Sequence, residues 1–146
     1  PVAGDLREIM TTIKVASNLE RAGDLAVHLA KATKRLAGRP YIDSFLDIQK
    51  MAQIGIGMVH DAVDAFVERD GEKAREVARR DDGIDSIHDA LIQELLATMH
   101  ENEEQIEMST SLLFISRFLE RLGDHVVNIC EWVVYGAEGT HEDLNS

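Results

Sequence analysis

The segment Leu19-Glu20-Arg21-Ala22-Gly23-Asp24 returns as Leu119-Glu120-Arg121-Leu122-Gly123-Asp124, one hundred residues further along a chain of 146. A doubled L-E-R-x-G-D means an internal duplication. Duplication constrains the fold more than composition does, because each copy must build the same supersecondary element. The flanks agree: Ile13, Val15, Ala16 and Val27 align with Leu113, Ile115, Ser116 and Val127. Each copy lies on a helical pattern and sets a Glu and an Asp four residues apart, on one face of its helix.

The pattern predicts four long helices. The first runs from about Ala3 to Leu36 and stops at Gly38-Arg39-Pro40, where Gly can cap and Pro cannot continue. The second starts near Tyr41 or Asp43. Its stripe of Phe45, Ile48, Ala52, Gly55, Val59, Ala62 and Phe66 alternates steps of three and four, the mark of a helix–helix seam, until Asp70-Gly71 breaks it. The third, from about Glu72 to Met99, buries Val77, Ile84, Ile87, Leu91 and Leu95, with a kink expected at Gly83. The polar run from His100 to Glu103 makes the next turn. The fourth, from about Glu104 to Tyr135, carries the strongest seam: Leu112, Ile115, Leu119, Leu122, Val126, Ile129 and Val133. Gly136 and Gly139 are expected to end it, leaving Thr140 to Ser146 as a frayed tail. Short turns force antiparallel neighbours, so the expected fold class is all-α, an elongated antiparallel bundle of four long helices.

Charge narrows the partners. With 27 acidic against 15 basic residues, the net charge is −12, and no basic stripe overrides it, so nucleic acid and anionic lipid are not expected partners. Cys130 is the only cysteine and sits among Ile129 and Val133, a packing environment; a disulfide within the chain and a thiolate zinc site are both excluded. The sequence contains neither a signal peptide nor a spanning segment, and it begins at Pro1 in mid-pattern, so upstream sequence is expected to be missing.

The chemistry lies in carboxylates. With Leu119 at the seam, Glu120 and Asp124 fall on the solvent side, and Glu20 and Asp24 take the same places relative to Leu19. Carboxylates at i and i+4 repel, and either a cation or simple solvation relieves them. Asp81, Asp82, Asp85 and Asp89, with His88 among them, form a further acidic run that can lie beside Glu120 and Asp124. Gly23 and Gly123 imply close approach of a ligand or another backbone. Ferritin-like di-iron bundles need Glu-x-x-His on two helices; within the predicted helices the nearest approach is Asp85-x-x-His88. His125 is expected to border the packing interface. No phosphate loop, nucleophile elbow or Ser/His/Asp grouping is present, and no enzyme is expected.

At these residues the chain resembles a known family. Asn18-Leu-Glu-Arg-Ala-Gly-Asp24-Leu-Ala-Val-His28 and Phe118-Leu-Glu-Arg-Leu-Gly-Asp-His125-Val-Val-Asn-Ile129 are similar to the paired third-helix motifs of PhoU proteins. Pro1 to Arg7 resembles the start of the third helix of that family's first repeat. Met58 to Asp70 resembles the first helix of its second, and Asp81-Asp-Gly-Ile-Asp85 the acidic start of the long second helix. The resemblance implies two three-helix repeats, of which residues 1–38 would be the last helix of the first, 41–136 the whole second, and 137–146 a tail. The first helix, lacking its own repeat, is expected either to dock as a fourth helix or to pair with a second chain, giving a homodimer that could be domain-swapped.

The resemblance further implies a cytoplasmic negative regulator of phosphate uptake and of the phosphate regulon. It would be an adaptor between the ATPase subunit of a phosphate-specific ABC transporter and a sensor histidine kinase, with no insertion in the membrane. Carried over by position, the implied ligands of multinuclear iron or zinc clusters are Glu20 and Asp24, then Asp81 and Asp85 with Glu120 and Asp124. Two alternatives stand beside it: a cytoplasmic PhoU-like domain of a larger transporter, and a helical protein whose carboxylate cluster does metal chemistry itself.

Overall fold

The computed structural model describes residues 2–40 and 42–145; Pro1, Tyr41 and Ser146 lie outside them, and with them a second-helix start at Tyr41 and the last residue of the expected tail. Helix α1 spans Val2–Leu36, α2 Ser44–Glu68, α3 Gly71–Arg79, α4 Asp81–Glu101 and α5 Ile106–Glu138. A single 3-10 turn at Glu103–Gln105 leads into α5. Among the described residues no strand occurs, and the molecule is the all-α antiparallel bundle that the periodicity predicts.

Local chemistry sets the turns. Gly38, at φ +80, ends the run after α1 in the left-handed region that Gly occupies without cost. Arg69 takes φ 54 at the end of α2, and its N–H bonds back to the carbonyls of Ala65 and Phe66. The Asp70 side chain then accepts from the Lys73 N–H, satisfying one orphan donor of α3. The Asn102 side chain accepts from the Glu104 N–H at the next turn. The third predicted helix is interrupted at Arg80, between α3 and α4, rather than at Gly83, which lies inside α4. Arg80 itself keeps helical dihedrals, so α3 and α4 together form one broken arm of the bundle.

Helix α5 is the centre, packing against each of α1, α2, α3 and α4. Every residue of its predicted seam, from Leu112 to Val133, is buried. Met51, Met58 and Ala65 of α2, Val77 and Ala78 of α3, and Ile84, Leu91 and Leu95 of α4 close around it. A fully buried Val, Leu or Met contributes roughly 1.5–3 kcal/mol, so this single core dominates the stability.

Helix α1 docks along α5 within its own chain, the first of the two arrangements expected for it. The sense is antiparallel: Thr11 meets Gly136, Lys14 lies over the Trp132 ring, Asn18 bonds His125, and His28 stacks on Phe118. Ala22, Leu25 and Leu122 form a separate small cluster at the middle of the contact, with Val59 and Phe118 against it. The two copies of L-E-R-x-G-D therefore pack on each other at their own equivalent positions, about a local approximate two-fold axis. The contact leaves Val2, Leu6, Ile9 and Ile13, an i, i+4, i+7, i+11 row on α1, exposed.

Two expectations for the C-terminal end are corrected. Gly136 does not end α5, which continues to Glu138 and is capped by Gly139 at φ +74. Residues 140–145 are not frayed. Arg75 binds both Glu138 and Glu142, His141 packs edge-on to Trp132, and Leu144 lies against the core. A guanidinium that can fork between two carboxylates anchors this segment.

A β-carbon at 136 would stand 2.8 Å from Thr11 Oγ1 and 2.9 Å from its Cγ2, whereas one at 23 would meet nothing within 4 Å. Gly23→Ala is therefore expected to raise stability by about 0.5–1 kcal/mol through helix propensity. Gly136→Ala is expected to lower stability despite the same propensity gain, because Thr11 is buried and cannot swing aside. Urea titrations of the two variants check the opposite signs.

Candidate functional site

Helix α4 opens with Asp81 and Asp82, acids placed where the helix dipole favours negative charge. Asp85 follows one turn on, towards α5, which packs against α4 and carries Glu120 and Asp124. Each of these acids feels the others. The Asp81 carboxyl is pushed up to about 7, first by burial and then by Asp85, Asp124, Asp82 and Glu120. Asp85 is raised by burial and then by Glu120, Asp82 and Asp89, with His88 opposing. Asp124 is raised by burial, then Glu120 and Asp85, against Arg117 and Arg121. Asp81, Asp85, Glu120 and Asp124 thus gather in one groove between α4 and α5.

The groove is more closed than the heptad pattern predicts. Glu120 and Asp124, expected on the solvent side, are half-buried, because α4 packs along this side of α5 and leaves the row of Phe114, Arg117 and Arg121 fully outward. Asp81 is only 6% exposed. Its Oδ1 is buried with no hydrogen-bond partner, and it rests directly on Gly123, where a β-carbon would collide with it. The glycine of the second motif copy is thus required by a close approach, whereas that of the first copy, Gly23, faces open space. Glu120 keeps one restraint, a 2.8 Å bond from Arg117 Nη1.

The first pair lies elsewhere. Glu20 and Asp24 are exposed on α1, which packs its backbone on α5 and not on α4, so these two do not join the other four. Asp24 lines a different cleft, between α1 and α5, together with Arg21, His28, Arg121 and His125. Arg21 and Arg121 are repeated as faithfully as the Glu and Asp of the motif, and that repetition is the one sequence signal that marks them. His88 is buried about one turn beyond Asp85, its Nδ1 3.0 Å from Ser116 Oγ. That hydroxyl donates to the Leu113 carbonyl, so His88 Nδ1–H is the donor to it and the ring is committed to packing. Cys130 is buried and its thiol is pushed up to about 12, chiefly by desolvation, which makes it an inert core residue. Among the described residues no three His, Cys, Asp or Glu side chains stand close enough together to hold a metal ion. Among them, too, no helix is long and apolar enough to cross a membrane.

A helical repeat protein whose two motif helices pack on each other, with a carboxylate groove beside the second, defines a narrow class. The PhoU domain family matches residues 1–33 and 48–133, and the chain belongs to the PhoU family. It is 44% identical over 144 residues to a phosphate-specific transport system accessory protein PhoU homolog of Clostridium acetobutylicum, covering 99% of this chain and 66% of the relative. To the PhoU homolog of Rhizobium meliloti it is 38% identical, covering 95% of this chain and 59% of the other. The crystal structure of PhoU from Pseudomonas aeruginosa superposes with a TM-score of 0.91 at 33% identity, covering 96% of this chain and 68% of that one. The phosphate transport system regulatory protein PhoU from Streptococcus pneumoniae gives 0.87 at 32% identity, covering 96% of this chain and 66% of that one. The chain thus spans somewhat less than two thirds of the length of these curated relatives. The relatives are named as accessory and regulatory proteins, not as enzymes.

The pH dependence follows from Asp81. Its carboxyl holds a proton up to about pH 7 in the folded chain, against roughly 4 when unfolded. The folded state therefore carries the extra proton across that window, and stability falls as pH rises through it. In metal-free protein Asp81→Asn is expected to raise the melting temperature near pH 8 by about 3 °C or more and to leave it nearly unchanged near pH 4. Thermal melts at the two pH values test this; an equal shift at both would mean that Asp81 does not titrate as described.

Proposed function

We propose that this chain is part of a cytoplasmic regulator that restrains phosphate uptake and the phosphate regulon. It would link the ATPase subunit of a phosphate-specific ABC transporter to a sensor histidine kinase. What supports the reading is membership of a family whose relatives are named for the phosphate transport system, over nearly the whole of this chain. In it, α1 is the final helix of a first repeat, and α2 to α5 are the second. The exposed row of Val2, Leu6, Ile9 and Ile13 then belongs to the face that a first repeat would cover. In the isolated chain the same row pairs two copies as a homodimer, and light scattering that finds only monomer across a wide concentration range is the negative result.

The α4/α5 groove is, in this reading, a cation site. Its chemistry suits iron or zinc shared by several carboxylates once the side chains, no three of which now stand close enough to hold an ion, are drawn together. Four acids face the groove, three have raised carboxyl pKa values, and Asp81 Oδ1 is buried without a partner. A cation would relieve the repulsion that the acids now exert on one another, drawing Asp81, Asp85, Glu120 and Asp124 inward. Glu20 and Asp24 are the corresponding pair of the first repeat. The groove then acts as a structural or signalling element.

Two experiments carry the test. Deletion of the full-length gene is expected to raise a phosphate-regulon reporter at high phosphate; a reporter that stays repressed sinks the regulatory reading. Elemental analysis of untagged protein is expected to find iron or zinc, and Glu120→Ala/Asp124→Ala is expected to lose most of it. Equal metal content in both proteins removes these residues as ligands.

A further inference from the structure

The arginines of the doubled motif meet. Arg21 and Arg121, equivalent residues of the two copies, line one cleft of about 350 Å³ that opens on the local two-fold axis between α1 and α5. His28, Phe118, His125 and Asp24 complete its wall, and Leu25 forms an apolar floor. Although the net charge is −12, among the described residues neither guanidinium is within ion-pair distance of an acid. Two unpaired arginines converging on one apolar-floored cleft is the arrangement that binds an oxyanion through paired N–H donors.

The remaining groups say which oxyanion. The Asn18 side chain donates to the Lys14 carbonyl through Nδ2, so its Oδ1 accepts from His125 Nδ1–H at 3.2 Å. That fixes the tautomer and leaves His125 Nε2 as an acceptor in the neutral ring. The ring stays neutral because burial, then Arg21 and Arg121, hold its pKa below the usual range. Asp24 is a second acceptor without a donor, having neither a hydrogen bond nor an ion pair among the described residues. Two donors for oxygen and two acceptors for a proton suit an anion that carries its own hydroxyl. Sulfate has none near neutral pH, and a phosphate monoester dianion has none either.

We propose that the α1/α5 cleft binds hydrogen phosphate, its oxygens held by Arg21 and Arg121 and its P–OH donated to Asp24 or His125 Nε2. His28, stacked on Phe118 at 5.5 Å between centroids, walls the cleft on the α1 side. The site stands apart from the α4/α5 carboxylate groove and does not depend on a metal there. Because both helices contribute an arginine, the anion would bridge the two motif copies and tighten the α1–α5 contact.

Imidazole NMR of the intact chain, titrated with inorganic phosphate at constant ionic strength near neutral pH, tests the proposal. His125, assigned through His125→Gln, and His28 are expected to shift with a dissociation constant on the order of 1 mM or tighter, while His60 and His100 stay in place. Arg21→Gln and Arg121→Gln are each expected to weaken binding by about tenfold or more, and Lys50→Gln, on exposed α2 surface, not at all. Circular dichroism melts establish that each variant is folded. Sulfate and adenosine monophosphate are expected to bind much more weakly than phosphate, and Asp24→Asn to narrow the gap for sulfate. No shift of His125 with phosphate, unchanged affinity in both arginine variants, or equal affinity for sulfate or the monophosphate each overturns the proposal.

Discussion

The packing of α5 against every other helix is the constraint on which the rest of the molecule depends. A single long helix that touches every other helix must be apolar around most of its circumference, and its buried residues extend from Met108 to Val134. Some positions that would face water in a two-helix coiled coil face α1 or α4 here, while Phe114 and Arg117 stay exposed. Polar residues of the motif copy on α5 are thereby placed in two narrow grooves, with Glu120 and Asp124 towards α4 and Arg121 and His125 towards α1. The charge of each groove follows from which neighbour supplies the opposing wall.

On the α4 side the wall is acidic, and the result is electrostatic strain held in place by packing. Asp81 is kept buried against Gly123 by the contacts of Ile84, Leu91 and Leu95 with the common core, although its oxygen finds no donor. Burying a carboxylate among three others is unfavourable unless it takes up a proton or a cation. The hydrophobic term of α4, summed over three fully buried aliphatic side chains, outweighs that cost and holds the acids together. On the α1 side the wall carries Arg21 beside Asp24, and the same helix α5 adds the donors of Arg121 and the His125 ring.

Much of the architecture was legible in the sequence. The helical segments, the turn at Asp70-Gly71, the stop at Gly38 and the burial of the α5 seam all follow from spacing and turn chemistry that act within a few residues. Of the stripe read for α2, however, only Gly55 and Ala62 are buried, Met51, Met58 and Ala65 taking the other core places. The break at Arg80, the docked segment after Gly139 and the role of Gly136 were not legible, since each rests on partners remote in sequence: α3 against α5, Arg75 with Glu142, and Thr11 under Gly136. Gly23 and Gly123 make the point most sharply. They hold the same place in the same motif, yet only Gly123 has a side chain, that of Asp81, lying on it.

By itself, then, the sequence determined the helical class, the duplication and the residue types available for chemistry, because periodicity and repetition are properties of the chain. Only the tertiary structure decided which copies of those residues meet. It joined Asp81 and Asp85 to Glu120 and Asp124 while leaving Glu20 and Asp24 apart, and it brought Arg21 opposite Arg121. The physical reason is that α1 and α5 cross antiparallel at the motif itself while α4 packs on α5 and not on α1, so two near-identical hexapeptides have different neighbours.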